Sequence, residues 1–163
     1  MPTKPPIEIT LNDLEAIGVA HYRSLARWSE FLTDRDRRPG RQIKLTIWDG
    51  LVLALAASIK NDGLVVPVPV LRQVVSCVEK NRPDFWEQIR SGKTPKIKHE
   101  LFAVITGGKG EVASATIFDP ARMSIWTLTE GNNNVLLFNV FEHARNLLER
   151  LDRLPRMEAA AVA

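Results

Sequence analysis

TLNDLEAIGVAHYRSLARW, residues 10–28, decides how the chain reads. Thr10 has the character of a helix N-cap, with Asp13 three residues on completing an imperfect capping box. Leu11, Leu14 and Ile17 give the following helix one apolar side, and Gly18 ends it. Val19 packs in the turn, and a second helix is predicted over residues 20–32. Leu25 and one or both of Trp28 and Phe31 should form its buried side. Arg23 and Arg27 are four apart and so share a face.

Working outward, residues 34–43 contain Pro39 and Gly40 and cannot continue a helix, so they read as a loop or short hairpin. Thr46 and Asp49 repeat the capping pattern. The strongly apolar run from Ile47 to Lys60 is predicted to be a core helix, stopped by Asn61, Asp62 and Gly63. LVVPVP is expected to be extended, because each proline restricts the residue before it. A fourth helix is predicted over residues 70–80, and a short fifth helix takes Pro83 as its first residue. SGKTP, residues 91–95, is the best boundary.

Beyond it the composition changes. HELFAVIT and EVASATIF flank GGKG, a strong hairpin signal. MSIWTLT reads as a third strand, GNNN as a turn, and VLLF as a fourth strand or the lead-in to a helix. In the last helix Val140, Ala144, Leu147, Leu151 and Leu154 recur in steps of four, three, four and three, a heptad seam. That seam fits either a dimer interface or one amphipathic helix covering the small sheet. The expected fold class is α+β, with a helical winged helix-turn-helix domain over 10–92 and a small antiparallel sheet plus C-terminal helix over 96–155. Residues 1–9 and 156–163 read as tails.

Charge is concentrated rather than general. The 163-residue chain carries a net charge of only +3. From His21 to Lys44, however, seven Lys/Arg (Arg23, Arg27, Arg35, Arg37, Arg38, Arg41, Lys44) stand against three acids, Glu30, Asp34 and Asp36. That segment therefore nets +4 and the remainder −1, the footprint of a local site for a polyanion. A recognition helix must present donors from one face to the major groove, and a basic loop after it can reach phosphates or the minor groove.

TLNDLEAIGVAHYRSLARW followed by GRQIKLTIWDGLVLALAASIKNDGL resembles the DNA-binding domain of the MerR superfamily. Gly18, Val19, Arg23, Leu25, Arg27 and Trp28 stand in the order of that family's turn and second helix. Gly40–Arg41 is similar to its wing start, Thr46 and Asp49 to its next capped helix, and Gly63–Leu64 to that helix's end. The likeness covers residues 10–80 or so. It implies a bacterial, cytoplasmic, nucleoid-associated transcriptional regulator that binds an inverted repeat of double-stranded DNA as a homodimer. On this reading Arg23 and Arg27 read bases, with His21, Tyr22 and Ser24 beside them. Arg35, Arg37, Arg38, Arg41 and Lys44 hold the backbone, and Val140, Ala144, Leu147, Leu151 and Leu154 form the dimer seam. Excisionases of mobile elements share the fold, so an architectural or recombination-directionality role is an alternative. A protein-interaction module whose basic loop meets an acidic partner is another.

Other chemistries find little support. Cys77 is the only cysteine, which allows no internal disulfide and no multi-thiolate metal site. His21, His99 and His143 are too scattered to read as ligands. GGKG lacks the helix start and Ser/Thr of a phosphate loop, and no hydrolase, zincin or nucleotide-binding motif is present. No catalytic residue, metal or cofactor is expected, and no effector is assigned, although Phe102, Phe118, Trp126 and Phe138 could line a pocket in the sheet. The N-terminus has no apolar signal core, and the longest apolar run, residues 51–59, is too short to span a bilayer, so no membrane is expected.

Overall fold

The computed structural model describes residues 8–32, 42–64, 66–92, 101–106, 112–118 and 134–155. In chain order the elements are β1 (Ile9–Thr10), α1 (Leu11–Ala16), α2 (Tyr22–Ser29), β2 (Lys44–Leu45), α3 (Ile47–Asn61), α4 (Val68–Asn81), α5 (Phe85–Arg90), β3 (Leu101–Thr106), β4 (Val112–Phe118), β5 (Asn134–Phe138) and α6 (Val140–Asp152). Mostly helical, with small antiparallel sheets, the chain fits the α+β class.

Two capping boxes organise the N-terminal half. Thr10 Oγ1 accepts from the Asp13 N–H at 3.2 Å, and Asp13 Oδ2 accepts from the Thr10 N–H at 2.8 Å. The same exchange joins Thr46 and Asp49, at 3.1 and 2.9 Å. Each box satisfies helix N–H groups that have no partner inside the helix. The residues leading into the boxes pair with each other: β1 and β2 are antiparallel, Ile9 opposite Leu45 and Thr10 opposite Lys44. The starts of α1 and α3 are thereby clamped together.

α1 ends at Gly18, whose φ of 76° lies in the left-handed region. The Val19 N–H then donates back to Leu14 C=O at 2.9 Å and closes the turn. α3 runs beneath it, with Leu51, Leu53 and Leu55 fully buried. Its Gly50 sits where a Cβ would collide with Ile9 Cδ1 and lie 3.6 Å from Leu147 Cδ2, so β1 and α6 both come close to the α3 backbone at this point.

Several boundaries differ from expectation. α2 occupies Tyr22–Ser29, inside the predicted span, and residues 30–32 continue as a tighter turn with N–H groups bonded three residues back. Trp28 is half-buried, but Phe31 is 52% exposed and is not part of the core. α4 starts at Val68, earlier than predicted, because Pro69 falls in its first turn, where the missing N–H has no intrahelical partner to lose. Pro83 is not the first residue of α5, which begins at Phe85 after Asp84.

β4, β3 and β5 form an antiparallel sheet with β3 central. The hairpin pairing of the two predicted strands is present, with a register shift between Ile105 and Thr106. VLLF is a strand, with Phe138 opposite Phe102. The predicted MSIWTLT strand, the GGKG turn, Trp126 and residues 1–7 and 156–163 of the expected tails lie outside the described residues. The N-terminal tail ends before residue 9, because Ile9 is held in β1 opposite Leu45 and is buried in the core.

The seam of α6 corrects the expected dimer interface. Val140, Ala144, Leu147 and Leu151 are buried within the chain, in the same apolar cluster as Leu14, Leu51 and Leu55, and Leu154 packs against it. α6 lies on α3. A heptad stripe this short is also the stripe of any amphipathic helix, and the many-sided apolar surface of α3 supplies its partner. The seam neither offers a second chain an open face nor covers only the sheet. An aromatic group completes the junction: Phe85 stacks on Trp48 at 5.5 Å and meets Trp86 and Phe141 edge-on at 5.3 and 6.3 Å.

Candidate nucleic-acid interface

α2 has a sharply divided surface. Leu25 and Ser29, one turn apart, are both fully buried, and the Ser29 hydroxyl donates to Ala26 C=O at 2.7 Å. On the other side His21, Tyr22, Arg23 and Arg27 are exposed, and Ser24 is half-buried. Among the described residues neither arginine forms an ion pair, so both guanidinium forks keep their five donors for an external acceptor.

Three contacts hold this helix in place. At its start, the Glu15 carboxylate on α1 accepts the Tyr22 N–H at 2.8 Å. His21, the N-cap residue, makes no side-chain capping bond. In the middle, Lys60 of α3 stands 5.6 Å over the Trp28 ring, within cation–π range. At its end, Arg72 of α4 donates to Phe31 C=O at 3.2 Å. None of the three was anticipated. Glu15 had a usable signal, since the tight turn at Gly18 folds the end of α1 back towards the start of α2. Lys60 and Arg72 are too distant in sequence for any local pattern to place them.

Lys44, on β2, is exposed and paired with Glu8 at 2.7 Å, both side chains being about two-thirds exposed at 64% and 63%. Such a surface pair contributes at most about 1 kcal/mol, so a phosphate could replace the carboxylate at little cost. Arg35, Arg37, Arg38 and Arg41 lie outside the described residues. Of the ten proposed DNA contacts, the structure thus groups the five from α2 and its cap, and places Lys44 on the strand leading into α3.

The described residues contain no group of three or more His, Cys, Asp or Glu able to hold a metal. Cys77 is half-buried, with Asn81 Nδ2 3.5 Å from its sulfur. Among the described residues no helix is long and apolar enough to cross a membrane. Comparison of the chain with known protein families, and with characterised proteins, finds no match.

Proposed function

We propose that the chain binds double-stranded DNA sequence-specifically and serves as a bacterial transcriptional regulator of the MerR-like winged helix-turn-helix kind. The observation that carries this reading is the division of α2: Leu25 and Ser29 anchor it, while Tyr22, Arg23 and Arg27 stand exposed along the remaining surface. A rod held at both ends with two free guanidinium forks suits base edges in the major groove, where arginine reads guanine through two hydrogen bonds. The seven-cation segment between His21 and Lys44 adds the backbone contacts that fix register without reading sequence.

One short helix discriminates poorly among sites. A homodimer presenting two copies of α2 about 34 Å apart would read an inverted repeat. Because the apolar side of α6 is filled from within the chain, that dimer would use another surface.

The test is selection of bound duplexes from a random pool by the full chain, followed by mobility shifts at several salt concentrations. An enriched inverted repeat is the expected result. Failure of every duplex to bind at low salt would refute the proposal, and enrichment of an unrepeated site would refute the dimer.

A further inference from the structure

A cleft of about 220 Å³ opens where the α1–α2 turn, α3 and α6 meet. Its polar lining is Ser58 and Asn61 from α3 with His143, Asn146 and Arg150 from α6, and Gly18 and Val19 of the turn also line it. The spacing explains the convergence: positions 143, 146 and 150 lie on one face of α6, and positions 58 and 61 on one face of α3.

The lining is rich in donors and contains no acid. Two carboxamides, a hydroxyl, an imidazole and a guanidinium can all donate. The cation is also unmatched. Arg145, on the same helix, is neutralised by Glu142 at 2.6 Å and Glu149 at 3.9 Å. Arg150 has Asn146 and Leu147 one turn before it and Arg153 and Leu154 one turn after, so its helix supplies no counter-charge. Among the described residues Arg150 forms no ion pair, and the side chains of Ser58, Asn61 and Asn146 make no hydrogen bond.

We propose that this cleft binds a small organic carboxylate, gripped by Arg150 and oriented by Asn61 and Asn146. An arginine fork matches a carboxylate through two parallel hydrogen bonds. The size argues for a compact acid of a few carbons, because the cleft falls below the roughly 300–1,000 Å³ of sites for larger ligands. Asp62 and Glu142 lie near His143 but outside the lining, and they disfavour a second anionic group on that side. An occupant would bridge the Gly18 turn to α3 and α6 and so stiffen the connection between α1 and α2.

The experiment uses the full chain without DNA, so its outcome is independent of the proposed function. Acetate, succinate and inorganic phosphate are titrated calorimetrically, with chloride holding ionic strength constant. Saturable binding of acetate is expected, tighter than that of the dianion succinate, with slower amide exchange at Val19. Arg150→Gln should weaken it at least about ten-fold, as loss of one charge-assisted contact predicts, while Arg153→Gln should leave it unchanged. No saturable binding of either carboxylate, binding of phosphate alone, or equal weakening by both substitutions would overturn the proposal.

Discussion

The Glu15 carboxylate receives the Tyr22 backbone N–H at 2.8 Å, so a side chain of α1 caps α2 across the turn. An acid at a helix start is favourable, because the N-terminal N–H groups carry partial positive charge. It also places a negative charge beside the end of α2 that would approach DNA. Glu15→Gln keeps an acceptor oxygen and removes the charge. It should lower stability by about 0.3–1 kcal/mol and strengthen binding to random duplex at low salt, with the gain fading as salt rises. Urea titrations and mobility shifts would check both. Weaker binding at low salt would show that the cap matters more than the repulsion.

Arg23 and Arg27 share the exposed side of α2, and their loss should be read most clearly against a selected site. Arg23→Ala should cost roughly 1–3 kcal/mol on that site and much less on random duplex. Lys44→Ala should weaken both duplexes alike and flatten the salt dependence by about one phosphate contact. Equal effects of Arg23→Ala on the two duplexes would remove its assigned role in base reading.

Gly18 and Gly50 are indispensable for different reasons, and their alanine variants should separate them. At Gly18 a Cβ meets nothing within 4 Å, but the φ of 76° disfavours any L side chain, at about 1–2 kcal/mol. Asn tolerates this region better, so Gly18→Asn should recover part of the loss. At Gly50 the backbone is helical and the obstacle is Ile9 Cδ1. Gly50→Ala should cost about 1–3 kcal/mol, as overpacking does, and the double change Gly50→Ala with Ile9→Val should recover part of it. Thermal melts of the four variants suffice.

Leu147 is 2% exposed and packs beside Gly50 of α3, which fixes the role of the α6 stripe. Leu147→Ala should destabilise the chain by about 2–5 kcal/mol. The shift should be the same at low and high protein concentration, because the lost packing lies within one chain. A shift that grew on dilution would point to a packing partner in a second chain.

Local chemistry made much of this fold legible. Thr10 with Asp13 and Thr46 with Asp49 mark two helix starts by side-chain chemistry that acts over three residues, and both capping boxes are formed. Gly18 marks a turn by a conformation that few other residues adopt. The exposure of Arg23 and Arg27 followed from the position of Leu25 on the same helix. Legibility failed where partners are remote. The stripe on α6 looks the same whether it meets a second chain, a sheet or α3, and only the burial of Leu147 against α3 decides. The exposure of Phe31 was hidden for a related reason: α2 tightens after Ser29, and the Arg72 contact holds that turn from forty-one residues away. No local pattern singles out Ser58, Asn146 or Arg150, Asn61 reads only as part of a helix stop, and their convergence depends on how α3 and α6 pack.

His143 gives stability a predictable pH dependence. Its pKa is lowered from the ordinary 6.5, first by burial, with Asp62 and Glu142 pulling it partly back up. The folded chain therefore resists protonating this imidazole, whereas the unfolded chain takes up the proton at the ordinary value. Between those two pH values the unfolded state binds more protons, so stability falls as pH falls. Above about 6.5 the contribution is fully present, and below the folded value the loss stops growing. Melting temperatures from pH 7.5 down to pH 5 should thus decline more steeply for the native chain than for His143→Gln. Identical slopes for the native chain and His143→Gln would mean that the imidazole is as freely protonated when folded as in water.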